Sequence, residues 1–207
     1  MARSKSSGRW LREHFDDEYV RRAQQDGWRS RAVFKLEEID TKERLFRPAM
    51  NIIDLGAAPG AWSQYAAQRI GDSGRVLAID LLEVVPMERV DVIRGDINDD
   101  VVFEAMLNHF GESGVDLVMS DMAPNMSGNR AVDQPRSVQL CEMAAEAARE
   151  LLNPGGDLIM KAFEGAGIEE LRRELRGRFT TLKTIKPKAS RPRSPEIYLV
   201  ARGSKGR

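Results

Sequence analysis

The chain has 207 residues, 42% of them hydrophobic and 31% charged, with one cysteine and two histidines. That length suits one domain with a full hydrophobic core, a lone cysteine excludes an internal disulfide, and no apolar run reaches the roughly 20 residues of a membrane span. Formal net charge is zero but uneven: residues 1–35 hold nine basic and five acidic side chains, residues 36–171 eleven and 25, residues 172–207 twelve and two. If the two basic ends meet in space, they form a positive face beside an acidic body, which suits a polyphosphate backbone as well as it suits a solvated surface.

In chain order, MARSKSSGRWLREH is basic but is followed by charge instead of the apolar stretch of a secretory signal, so the cytoplasm is the expected location. Residues 12–26 and 30–43 predict helices, with Ala32, Leu36 and Ile39 on one face of the second. NIIDLG, RVLAIDL, VDVIRGDI, VDLVMSD and GGDLIMKAF then read as short apolar strands separated by helical stretches, the signature of an α/β sheet. The strongest helix covers 134–152, and Asn153, Pro154 and Gly155 supply its stop. FTTLKTIKP and EIYLVARG are two further strands, joined by the basic, proline-broken KPKASRPRSP. No internal repeat is visible, and Cys141, His14 and His109 stand in no zinc-ligand spacing, so no metal is expected.

The first strand ends in DLGAAPGAW, residues 54–62, where Gly56 and Gly60 let the backbone approach a ligand closely before a helix begins. It is not GxGxxG, and no Walker lysine follows, so NAD and ATP phosphates are poorly supported. Alone, the glycine pair reads as a tight strand-to-helix turn. Three acids change that reading: Asp80, Asp96 and Asp121 each close a successive strand, and in a parallel sheet those ends share the ligand-binding edge. Each aspartate taken singly is a turn or cap residue; the set beside the glycine loop marks a site. Lys161, inside the apolar LIMKAF, falls on the same edge as Asp121. If EIYLVARG returns antiparallel, Glu196 joins them. Lys35, by spacing alone, is a solvated helix lysine.

DLGAAPGAW, SDMAPNMSG at 120–128, RSRAVFKL at 29–36 and KPKASRPRSPEIYLVA together resemble the FtsJ-like, or RrmJ-like, ribosomal-RNA ribose methyltransferases, from about Trp10 to Ala201. The resemblance implies a single-domain, Rossmann-like class I fold dependent on S-adenosylmethionine. Its seven-stranded sheet would be mostly parallel with an antiparallel last strand, and helices would cover both faces. Residues 29–207 would form the methyltransferase domain and residues 1–28 a basic segment on its RNA-binding face. The implied activity is 2′-O-methylation of a uridine in 23S rRNA of the large ribosomal subunit, supporting ribosome assembly, with S-adenosylhomocysteine as product and neither metal nor membrane involved. Lys35, Asp121, Lys161 and Glu196 match the family's catalytic tetrad; Gly60, Trp62, Asp80, Asp96 and Asp121 match its cofactor positions. Ala61 stands where glycine or serine is common, and Phe34 where tyrosine is common.

An RNA footprint is expected on Arg9, Arg12, Arg29 and Arg31 and on the late loop with Lys186, Lys188, Arg191 and Arg193. Lys161 could serve as a base if neutral or as a cationic stabiliser if charged, and the sequence leaves both open. A monomer is expected. The alternatives at this point are another RNA such as tRNA, a protein or small-molecule acceptor, and a catalytically silent rRNA-binding assembly factor.

Overall fold

Alternating side chains along each strand divide the apolar residues into two cores, one on each side of a single sheet. The computed structural model describes residues 17–206. The strands are β1 Asn51–Leu55, β2 Arg75–Asp80, β3 Val90–Arg94, β4 Val115–Ser120, β5 Leu152–Phe163, β6 Phe179–Ile185 and β7 Glu196–Ser204. They lie in the order β3-β2-β1-β4-β5-β7-β6, and only β7 runs against the rest, pairing antiparallel with both β5 and β6. The expected seven-stranded, mostly parallel sheet with a reversed last strand is therefore present.

Helices α1 Glu18–Gln25, α2 Val33–Glu43 and α3 Ala61–Ile70 belong to the face that buries Ile52, Val76, Leu117, Ile159, Tyr198 and Val200. Helices α4 Asp100–His109, α5 Arg130–Leu151 and α6 Ile168–Arg178 cover the face with Ile53, Leu77, Val118, Met160 and Leu199. Strands covered on both faces read as near-continuous apolar runs, which is why β1, β2, β4 and β5 stand out in the sequence. Within residues 17–28, Val20 and Ala23 of α1 are buried against the core, and the Asp17 carboxylate caps the helix by accepting the Tyr19 N–H at 3.0 Å. Arg9 and Arg12 lie outside the described residues.

Two boundaries differ from the sequence reading. Helix α5 begins at Arg130, upstream of Pro135, because Asn129 caps it by accepting the Ala131 N–H at 3.0 Å. Strand β5 begins at Leu152, which pairs with Val115, and the ladder then shifts register before Asp157 meets Leu117. Asn153-Pro154-Gly155 is thus a bulge within the strand and not a loop before it.

Candidate active site

The sheet order reverses between β1 and β4, so the crevice outside their carboxyl ends is the place where this architecture binds ligands. Gly56 follows β1 with φ +72°, and a Cβ there would lie 2.4 Å from Met122 Cγ. Only glycine lets this loop pass so close to the segment after β4. Asp80, the last residue of β2, accepts the Ala58 N–H on Oδ2 and the Leu82 N–H on Oδ1, both at 2.8 Å, tying the loops after β1 and β2 together. Asp96 accepts the backbone N–H and side-chain amide of Asn98, each at 2.9 Å. Between these loops opens a cavity of about 690 Å³ whose lining includes Gly56, Asp80, Asp96 and Asp121, with Leu82 and Met143 among its apolar walls. That volume suits a small organic ligand.

Asp54 lies in the apolar run of β1 and is buried beneath the glycine loop. Ser63 Oγ–H donates to its Oδ2 at 2.6 Å, and Oδ1 has no hydrogen-bond partner among the described residues. Burial raises its carboxyl to about 7, and the neighbouring charges of Asp121 and Asp80 push in the same direction. With Asp121 and Trp62 it lines a small cleft beside the larger cavity.

Beyond this crevice the four widely separated tetrad residues converge. Lys161 on β5 donates from Nζ to the Asp121 backbone carbonyl at 2.7 Å and lies 2.9 Å from Asp121 Oδ1 and 4.0 Å from Glu196 Oε2. Glu196 opens β7, and because β7 is antiparallel to β5 it pairs with Phe163 at the same sheet edge. Lys35, from α2, donates to Glu196 at 2.8–2.9 Å. Lys161 and Glu196 retain 9% and 8% of their exposure, so these ion pairs are largely dehydrated. Burial opposes ionisation of Asp121, but Lys161, Lys35 and a hydrogen bond from Tyr198 outweigh it and hold the carboxyl below its ordinary value.

Three supporting residues escaped the sequence reading. Tyr198 pairs with Lys161 across the β5–β7 ladder, is fully buried, and donates its hydroxyl to Asp121 Oδ1 at 2.5 Å. Burial and the adjacent Asp121 and Glu196 charges keep that phenol protonated well above its usual range. Its position two residues after Glu196, on the same face of a strand, was the available signal. Ser190 donates to Glu196 Oε1 at 2.7 Å from the loop before β7. Asp133 holds the SDMAPNMSG segment by accepting the Ser127 N–H and hydroxyl at 2.8 Å and the Gly128 N–H at 3.0 Å. Nothing in the spacing of Ser190 or Asp133 singles them out.

Trp62 is buried, donates its indole N–H to the Ala32 carbonyl at 2.9 Å, and sits 5.7 Å from the Tyr198 ring, against the small cleft. Gly60, at φ +102°, faces Met87, Arg29 and Val84 and does not line the large cavity. Arg29 donates to three backbone carbonyls, and Arg31 is bound to Asp17 and to the Ala189 carbonyl. Lys186 donates to the Ser194 carbonyl at 2.6 Å, Arg191 is half-buried, and Lys188 and Arg193 are exposed on the same loop.

A model of the FtsJ-like methyltransferases matches residues 28–204 of this chain. The chain is 56% identical over 205 residues to a ribosomal RNA large subunit methyltransferase E of Hydrogenovibrio crunogenus, covering 99% of this chain and all of the relative. It is 53% identical over 206 residues to the protein of the same name from Pseudomonas paraeruginosa, covering both chains in full. Among solved structures, a ribosomal RNA methyltransferase from Plasmodium falciparum superposes with a TM-score of 0.78 at 30% identity over 87% of this chain and all of that one. A Burkholderia thailandensis N-methyltransferase crystallised with S-adenosylhomocysteine shares the fold, with a TM-score of 0.54 at 21% identity over 92% of its length. A glycine loop at the topological switch point, carboxylates ending successive strands and an intact lysine-carboxylate cluster accompany a match over most of the sequence, and the chain belongs to the FtsJ-like methyltransferase family.

Proposed function

We propose that this protein transfers a methyl group from S-adenosylmethionine to the 2′-hydroxyl of a uridine ribose in 23S rRNA of the large ribosomal subunit, acting as a cytoplasmic monomer in support of subunit assembly. The observation that carries the reading is the convergence of Lys35, Asp121, Lys161 and Glu196 at one sheet edge, directly beside the cavity that Asp121 also lines. The names of its relatives support ribosomal RNA as the acceptor class.

The residues of the crevice fit the donor. Bound there, S-adenosylmethionine supplies an electrophilic methyl carbon on a sulfonium. Asp80, at the end of β2, is positioned to accept hydrogen bonds from a ribose, and Asp96, at the end of the next strand, from an adenine. The orphan oxygen of Asp54 and the carboxylate of Asp121 favour the cationic methionine end over an anionic ligand. Gly60 and Trp62 shape the loop behind this end.

Displacement at the methyl carbon requires the ribose oxygen to be aligned with it, and alignment alone supplies several kcal/mol. The hydrogen-bonding directions of Lys161 Nζ are set by the Asp121 carbonyl and carboxylate, with the Glu196 charge 4.0 Å away. The role we assign Lys161 is to orient the acceptor oxygen and offset the negative charge on it as the O–C bond forms, the C–S bond breaks to leave S-adenosylhomocysteine, and the hydroxyl proton passes to water. Lys35 and Glu196 hold that arrangement from the α2 side. Lys186, Lys188, Arg191 and Arg193, with Arg9 and Arg12, provide the phosphate contacts, which give affinity and position; RNA shape and the 2′-hydroxyl give the choice of target.

The deciding experiment maps 2′-O-methylation in ribosomal RNA from cells with and without the gene, paired with labelled methyl transfer to isolated large subunits. Loss of one 2′-O-methyluridine from 23S rRNA, restored by the purified protein, is the expected result. An unchanged map refutes the reading.

A further inference from the structure

The segment between β2 and β3 forms one wall of the cavity through Leu81 and Leu82, which are 61% and 66% exposed and therefore bring little packing of their own. Asp80 holds its beginning, and Arg94 Nε donates to the Leu81 carbonyl at 3.2 Å. Its middle is held from another element altogether. Arg29 donates from Nη1 to the Val85 carbonyl at 2.5 Å and to the Pro59 carbonyl at 3.2 Å, and from Nη2 to the Pro86 carbonyl at 3.1 Å. One guanidinium thus bridges the glycine loop after β1 and the loop after β2.

The backbone of Arg29 is itself fixed. Its N–H donates to Gln64 Oε1 at 3.1 Å, and Gln64 Nε2 donates to the Gly27 carbonyl at 3.0 Å. The same contact accounts for Gly60, where a Cβ would lie 2.9 Å from Arg29 Nη1 and 2.8 Å from Met87 Cε. At this position the glycine makes room for the clamp. A planar fork with donors on both terminal nitrogens suits three carbonyls on two loops, and a lysine ammonium, a single point on a flexible stem, does not.

We infer that Arg29 is a positioning residue of the donor site, which clamps the two loops that frame the cofactor cavity, and that it is not a phosphate contact of the RNA face. The inference rests on reading that cavity as the place of S-adenosylmethionine.

The test uses the full chain with Arg29→Gln and Arg29→Lys. It measures S-adenosylhomocysteine affinity by calorimetry, the KM for S-adenosylmethionine and kcat on large subunits, and RNA affinity across a salt series. Expected for Arg29→Gln is about a ten-fold rise in both the S-adenosylhomocysteine Kd and the donor KM, the effect of losing one net charge-assisted hydrogen bond. The kcat and the RNA salt slope stay at wild-type values. Arg29→Lys, which keeps charge and stem, shows the same direction with a smaller rise and covers the case in which the glutamine variant does not fold. Faster amide exchange across residues 81–89 in either variant is the accompanying signature.

Unchanged cofactor affinity in a folded variant overturns the inference. So does a fall of about one in the salt slope with donor KM intact, which is the behaviour of a lost phosphate contact. A lower melting temperature with no KM change at 25 °C marks a merely structural role and also overturns it. Failure of the wild type to bind S-adenosylhomocysteine is a different result, removing the donor reading and this inference together.

Discussion

Tyr198→Phe removes one oxygen atom from the centre of the cluster and leaves the packing surface unchanged. The lost group donates to Asp121 Oδ1 at 2.5 Å from a fully buried ring, and its partner is an ionised carboxylate. A hydrogen bond to a charged acceptor contributes about 1.5–3 kcal/mol net. Asp121 keeps its contact with Lys161 at 2.9 Å, so we expect the lower half of that range, about 2 kcal/mol of stability in urea unfolding. The same loss frees the Asp121 carboxylate to rotate about its remaining contact, and with it Lys161 loses part of its orientation. The expected kinetic result is a kcat reduced about ten-fold on large subunits, with the donor KM changed less. A double-mutant cycle with Asp121→Asn isolates the pair. A coupling energy below about 0.5 kcal/mol refutes the claim that this hydroxyl orders the cluster.

Lys161→Ala abolishes transfer while leaving S-adenosylhomocysteine binding within about three-fold of wild type, checked by labelled transfer and calorimetry. Lys161→Arg, which keeps a permanent cation, retains measurable activity with an unchanged pH–rate limb if Lys161 orients and stabilises, and loses the limb and the activity if it is the base. Asp54 sets a pH dependence of stability. Its carboxyl stands near 7 in the folded protein against about 3.9 in the unfolded chain, so the folded state binds the extra proton between those values and stability falls as pH rises through that window. Asp54→Asn removes this term, and its stability relative to wild type grows by an amount on the order of 4 kcal/mol from pH 4 to pH 8 in urea titrations. Neutralising Lys188 and Arg193 lowers RNA affinity and reduces the log–log salt slope by about two, with donor KM unchanged, measured by filter binding across salt concentrations.

The strand series and the placement of Asp121 and Lys161 at one sheet edge were legible because each carries a signal in one dimension. Buried parallel strands produce apolar runs, and carboxylates ending three of them fall on one edge by topology alone. Glu196 required in addition the reversal of β7, a condition that spacing left open and that the resemblance supplied. Lys35 was not legible from spacing, because its meeting with Glu196 depends on how α2 lies across the sheet; only the resemblance pointed to it. The carbonyl partners of Arg29 and Arg31, both expected in the RNA footprint, were not legible for a related reason. An arginine between helices looks alike in sequence whether it faces phosphate or a carbonyl of its own chain, and here Pro59, Val85, Pro86 and Ala189 supply those carbonyls. Asp54 carries a comparable signal, since an acid inside NIIDL is as anomalous as the lysine inside LIMKAF.

The uneven charge of the chain acquires a physical meaning once the crevice and the cluster are seen as neighbours. A positively charged donor and a polyanionic acceptor must occupy adjacent volumes, and a surface of one sign would attract one while repelling the other. The cavity gathers Asp80, Asp96 and Asp121 with Asp54 behind them, whereas the approach from the other side carries Lys35, Lys161 and the loop with Lys186, Lys188, Arg191 and Arg193. Asp121 stands at the boundary, lining the cavity with its backbone fixed by Lys161 and its carboxylate shared between Lys161 and Tyr198. Low local dielectric strengthens both fields where they meet. The carboxylates of the cavity and the cations of the approach therefore sort the two ligands, each drawing the one of opposite charge to its own side of Asp121.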